Sequence, residues 1–193
     1  MEITDYTIDE HTHRFAMWTA ARAASRSRLK NTEVELLICE SHLKEEVERL
    51  RKSPALNEII YKNWIKVTGE KICTIVQEQA WDDYKLKTFH FGLAAKIISI
   101  YIKTVEVIPT KGLSLLSQIA YPPIDGILLK NLNTKHSLKL KVNWSTFEWE
   151  QYSNVIDELN RLYPSIPKWK IEVLWKISNE EDIVISDGII INV

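Results

Sequence analysis

A chain of 193 residues that is 45% hydrophobic and 26% charged, with only 5 Gly and 6 Pro, has the composition of one ordinary globular domain. That balance excludes a disordered or collagen-like chain, and two cysteines without a CxxC spacing exclude a disulfide scaffold. A formal net charge of −1 excludes a uniformly basic nucleic-acid binder.

Thr7 with Glu10 has the spacing of a capping box and predicts a helix reaching about Leu29, rich in Ala16, Ala20, Ala21, Ala23 and Ala24. Thr32 with Glu35 repeats the spacing and predicts one helix carrying Val34, Leu37, Ile38, Leu43, Val47 and Leu50, stopping at Ser53-Pro54. Pro54 suits the first turn of a third helix with Ile59, Ile60, Trp64 and Val67, which Gly69 is expected to break or bend. Residues 89–105 are apolar on most of their circumference, the pattern of a central helix surrounded by others. Gly112 precedes a short helix, LSLLSQI, and Tyr121-Pro122-Pro123 forces an extended entry, with Pro123 placed to begin a helix over 124–132. A lysine-rich connector then leads to a helix from about Thr146 to Leu162, which Pro164 and Pro167 end, and to a last helix over 169–177. Asp187-Gly188 between two β-branched runs predicts a hairpin.

The expected fold is therefore mainly α: a compact single-domain bundle of about seven to eight helices over 1–180, with a small C-terminal β-hairpin over 181–193 as an appendage of the same domain. Trp18, Trp64, Trp81, Trp149 and Trp175 fall on apolar helix faces and read as packing residues, and Cys39 and Cys73 read as buried thiols. The acidic start MEITDYTIDE and the lack of an apolar run near about 18 residues point to a cytoplasmic chain with no membrane span.

Charge is unevenly spread along the chain. Segment 11–30 holds Arg14, Arg22, Arg26, Arg28 and Lys30 with no acid, and segment 85–141 holds nine lysines against Glu106 and Asp125. Acidic stretches separate the two, so folding can bring them onto one local basic face of a nearly neutral protein.

Within the second block, Gly92-Leu93-Ala94-Ala95-Lys96 is followed across a loop by Tyr121-Pro122-Pro123-Ile124-Asp125-Gly126. In outline this pair resembles the active-site segment of the helix-hairpin-helix DNA glycosylases, in which a glycine hairpin opens a helix bearing a lysine and a later Pro/Val-Asp motif opens another. Ala94 stands where that family has its second hairpin glycine. The resemblance covers residues 89–132 and implies Lys96 as the nucleophile of a lyase-competent member and Asp125 as the essential carboxylate. A lysine on an apolar helix is desolvated toward its nucleophilic amine, and an aspartate at a helix N-terminus is favoured as the carboxylate that faces oxocarbenium charge. Phe89, Phe91, Tyr101, Tyr121 and Trp18 are the candidates to stack on a flipped base. The plainer alternatives are a snorkelling surface lysine for Lys96 and an ordinary first-turn acid for Asp125.

Arg14, Trp18 and Arg22 recur every four residues and share one face of the first helix, an arrangement suited to phosphate or base, or to an Arg–Trp stack sealing an interface with a partner such as Glu172. No Walker loop, GxGxxG, GxSxG, HExxH or DxDxDG occurs, so neither a cofactor nor a metal is expected. The leading expectation is a DNA-associated protein with a diverged glycosylase-like core performing base excision. The alternatives are a non-catalytic helical protein for self-association or partner binding, possible homo-oligomer included, and a small-molecule-binding bundle anchored by Arg14, Arg22 and Asp125.

Overall fold

The computed structural model describes residues 5–24, 29–79, 81 and 87–175, with two three-residue segments, 184–186 and 189–191. The architecture is mainly helical. Its helices are α1 (Ile8–Ala23), α2 (Asn31–Glu40), α3 (Leu43–Lys52), α4 (Glu58–Glu78), α5 (Phe91–Ile102), α6 (Leu115–Ile119), α7 (Gly126–His136) and α8 (Trp149–Leu162). The Asp187-Gly188 turn of the expected hairpin lies outside the described residues. No helix among the described residues is long and apolar enough to cross a membrane.

The central position expected for residues 89–105 is what α5 occupies: it packs against α1, α4 and α8, and every residue from Phe91 to Ile102 is buried except Lys96 and Ile100. Small side chains let the helices approach closely. The alanine face of α1, with Ala16, Ala20 and Ala21 buried, lies against α5, and His13 Nδ1 and Tyr101 Oη pin the two at 2.7 Å. Gly69 does not break α4. It is needed because a Cβ there would lie 2.5 Å from the Phe91 ring, so the glycine serves helix contact rather than helix termination.

Other boundaries differ from the sequence expectation for local reasons. Thr7 caps α1 as expected, its Oγ1 accepting from Glu10 N at 3.2 Å. The second capping box is two residues earlier than Thr32-Glu35, with the Glu33 carboxylate accepting from Lys30 N at 2.8 Å. The helix expected to run to Ser53 is split at His42, which adopts a left-handed φ of 56°. Leu43 is five residues past Ile38 and falls off the Val34–Leu37–Ile38 stripe. The break resets the phase so that Leu43, Val47 and Leu50 reach the core. Pro54 lies in a turn, and α4 begins later because Asn57 Oδ1 caps Ile60 N at 3.0 Å. Likewise Pro123 does not begin a helix, since Asp125 is the N-cap of α7 and Tyr121–Asp125 run extended and buried before it. The expected last helix is a 3-10 segment, Lys168–Leu174, and residues 176 and 177 lie outside the described residues.

Four side chains, Trp18, Trp175, Cys39 and Cys73, are less buried than the sequence suggests. Trp18 and Trp175 are half exposed rather than core residues, while Trp64 and Trp144 are buried. Cys39 is exposed and Cys73 only partly buried. After α5 the chain continues into a π-helical turn, Lys103–Val107, whose buried Glu106 pairs with Arg51 Nε at 2.5 Å and ties α3 to the end of α5.

Candidate functional site

Lys96 and Asp125 meet, although 29 positions separate them. Lys96 is the one charged residue of α5, placed on the side of that helix which faces the N-terminus of α7. Its Nζ donates to Asp125 Oδ2 at 3.3 Å, and the two side chains are only 13% and 11% exposed. Four donors converge on the Asp125 carboxylate. Oδ1 accepts from Ile127 N at 3.0 Å and Leu128 N at 3.1 Å as the α7 cap, and Oδ2 accepts from Trp175 Nε1 at 2.6 Å as well as from Lys96. The cap fixes one oxygen and leaves the other directed at the lysine. Lys96 Nζ also lies 4.4 Å from the Trp144 ring centroid, a cation–π contact.

The pair opens into a cavity of about 430 Å³, lined on its polar side by Arg22, Lys96, Lys103, Asp125, Glu172 and Trp175. Ile100 and Leu128 supply apolar wall. Cavities of roughly 300–1,000 Å³ with a few convergent polar groups are the usual ligand-site size. Lys103, seven residues after Lys96, reaches the same cavity and pairs with Glu172 Oε2 at 2.5 Å. Glu172 is thus the partner of Lys103, not of the arginines on α1. Arg22 pairs with no carboxylate among the described residues and holds its guanidinium 5.5 Å from the Trp18 ring centroid.

The rest of the sequence-predicted set disperses. Arg14 is turned away from the cavity, bonded to Glu10 Oε1 at 3.0 Å and lying 5.1 Å from the Tyr6 ring centroid. Tyr121 is a core residue packed edge-on to Tyr61 and does not line the cavity. Phe89, Phe91 and Tyr101 are buried too, so none of the core aromatics proposed for base stacking faces the cavity. Trp18 is exposed beside Arg22 rather than inside. Gly92 sits in the first turn of α5, not in a hairpin before it. Its N–H donates to Phe147 O at 2.9 Å, which withdraws that backbone from any phosphate. A Cβ at Gly92 would lie 2.0 Å from Trp144 O, so this glycine serves the close approach of residues 144–147 and thereby seats Trp144 under Lys96.

Sequence reasoning missed Trp144 as the buried ring under Lys96 and Trp175 as a cavity residue, because neither has a local signal and Trp175 is 50 positions from the aspartate it holds. The heptad relation of Lys103 to Lys96 was the signal for the second lysine. Among the described residues no group of three or more His, Cys, Asp or Glu is arranged to hold a metal. No family model, no curated protein and no solved structure matches this chain.

Proposed function

We propose that the cavity is the site of a DNA-acting helical protein with a glycosylase-like core, performing base excision with Lys96 as the nucleophile and Asp125 as the carboxylate that faces the sugar. What supports this reading most is the juxtaposition itself: an amine and a fixed carboxylate oxygen 3.3 Å apart, in a ligand-sized cavity whose rim carries two further cations, Arg22 and Lys103. An extruded nucleotide brings a base to the apolar wall and phosphates to the cations.

Before attacking, Lys96 must give up a proton, and Asp125 Oδ2 is the acceptor in place. The C1′–N bond of the target nucleotide breaks, its electron pair leaves with the base, and the base takes up the proton that Asp125 received from Lys96, which returns Asp125 to its carboxylate. The oxocarbenium charge left on the sugar faces the carboxylate, and the neutral amine adds to C1′. Opening of the sugar gives a C=N bond between Lys96 and C1′. Loss of a C2′ proton then expels the 3′ phosphate with the C3′–O electron pair, and water releases the amine. Trp175 and the backbone of Ile127 and Leu128 hold the carboxylate in one orientation throughout.

The same reading takes residues 1–180 as the helical domain and 181–193 as a hairpin appendage, supported by the Asp187-Gly188 turn signal, and places the protein in the cytoplasm, supported by its two free thiols. The test is borohydride trapping on DNA containing an abasic site. A covalent adduct with the parent protein and none with Lys96→Ala supports the nucleophile, while a parent that forms no adduct removes the lyase chemistry.

A further inference from the structure

We propose that Phe15, Trp18 and Arg22 form a stacking ledge at the mouth of the cavity for an unpaired DNA strand, so that the substrate is single-stranded around the target nucleotide. The inference rests on the reading of the cavity as a DNA site and adds the form of the DNA.

The three residues lie at i, i+3 and i+7 of α1, on the face opposite the buried alanines. Phe15 is 50% and Trp18 48% exposed, yet their rings are stacked on each other with centroids 5.8 Å apart and planes 22° apart. Packing against the core does not account for this pair, because both rings are turned outward. Arg22 continues the row, its guanidinium 5.5 Å from the Trp18 ring centroid, and it also lines the cavity with Thr19 from the same helix. The ledge and the cavity are thus one surface, joined at Arg22.

Charge selects the occupant. Arg22 pairs with no carboxylate among the described residues, and the cavity beyond it sets Lys96 and Lys103 against Asp125 and Glu172, which leaves one uncompensated cation beside the rings, so an anionic strand with flat apolar rings fits better than an apolar face of a second copy. Aromatic side chains stack on any base whose face is open, and in a duplex those faces are covered by neighbouring pairs. At about 1.5 Å per residue, Phe15 to Arg22 spans about 10.5 Å, the length of about three stacked nucleotides at about 3.4 Å each.

The experiment is a fluorescence-anisotropy titration of the full chain with a dye-labelled single-stranded oligonucleotide and with the same sequence as a blunt duplex, for the parent, Trp18→Ala and Trp18→Phe. The single strand is expected to bind at least tenfold more tightly than the duplex. Loss of one stacked base at about 1–3 kcal/mol lowers the affinity of Trp18→Ala by about 5- to 150-fold, and Trp18→Phe restores most of it. Because Trp18 lies half in solvent, a thermal melt close to the parent's confirms that the variant is folded. Equal affinity of parent and Trp18→Ala, or equal affinity for strand and duplex, overturns the ledge. So does a dimer that Trp18→Ala dissociates in a protein without single-strand affinity, which gives the face to a second copy. Trapping at Lys96 reports the cavity separately. A parent that traps DNA without dependence on Trp18 refutes the ledge alone, and one that binds single strands through Trp18 but traps nothing refutes the chemistry alone.

Discussion

Replacing Asp125 by Ala removes four hydrogen bonds from two different structures at once. On Oδ1 the loss is the α7 cap, bonded to Ile127 N and Leu128 N, worth about 1 kcal/mol. On Oδ2 the loss leaves Lys96, 13% exposed, without its carboxylate and Trp175 Nε1 without its acceptor. Breaking a fully buried pair costs about 3–5 kcal/mol, and because this one faces a cavity that water enters, about 2 kcal/mol is the appropriate share. The expected total is about 3 kcal/mol, which for a chain of this size lowers Tm by about 6–12 °C. Asp125→Asn keeps the capping oxygen but puts an amide NH2 donor where Oδ2 accepts from Lys96 and Trp175, so it should melt above Asp125→Ala by the value of the cap alone, about 1 kcal/mol. Urea unfolding of Asp125→Ala, Lys96→Met and the double variant closes the cycle. The double should cost at least about 1 kcal/mol less than the sum. Additivity within about 0.5 kcal/mol, or an Asp125→Ala protein as stable as the parent, would refute the account of Asp125 as the hub of the site.

The two glycines next to the site should respond oppositely to alanine. At Gly92 the added Cβ meets Trp144 O at 2.0 Å, so Gly92→Ala is expected to lose at least about 3 kcal/mol, whereas at Gly126 the nearest atom is 3.6 Å away and Gly126→Ala should fold normally; similar melting temperatures for the two would contradict the close approach. Burial holds the His13 imidazole below its ordinary value, with Lys44 acting in the same direction, and burial lowers His136 likewise. Folding therefore favours neutral rings. Stability from this source is complete above the unfolded value of about 6.5 and declines as pH falls below it, and His13→Gln should show a smaller drop between about pH 7.5 and 5.5 in urea midpoints. An equal drop in the variant would refute that assignment. Thiol labelling should proceed first at exposed Cys39 and slowly at Cys73, whose thiol burial pushes up to about 12, and a Cys73→Ser protein should lack the slow phase; loss of the fast phase instead would reverse the two.

Local signals were legible where the chemistry is local. The Thr7 cap, the proline-enforced extension before Asp125 and the all-round apolar character of α5 each follow from a few adjacent residues, and each holds. The break at His42 was hidden because the apolar spacing on either side is helical, and only the phase offset between Ile38 and Leu43 marks it. Gly69 and Gly92 carry no sign in the sequence of the ring and the carbonyl they make room for. The resemblance singled out Lys96 and Asp125 as a pair, and their contact is a fact of the fold. Trp144 and Trp175 became visible only when segments 48 and 50 positions distant from those residues were placed beside them. Arg14 and Trp18 share a helix stripe with Arg22, as the spacing required, but a stripe continues past the edge of any cavity, and only Arg22 lies at this one.

The central claim concerns one amine, so the most direct measurement is peptide mass mapping of the borohydride-reduced adduct formed on abasic-site DNA. The account predicts the added mass on Lys96. Mass on Lys103, the other lysine of the cavity, or on a lysine elsewhere in the chain, would contradict it.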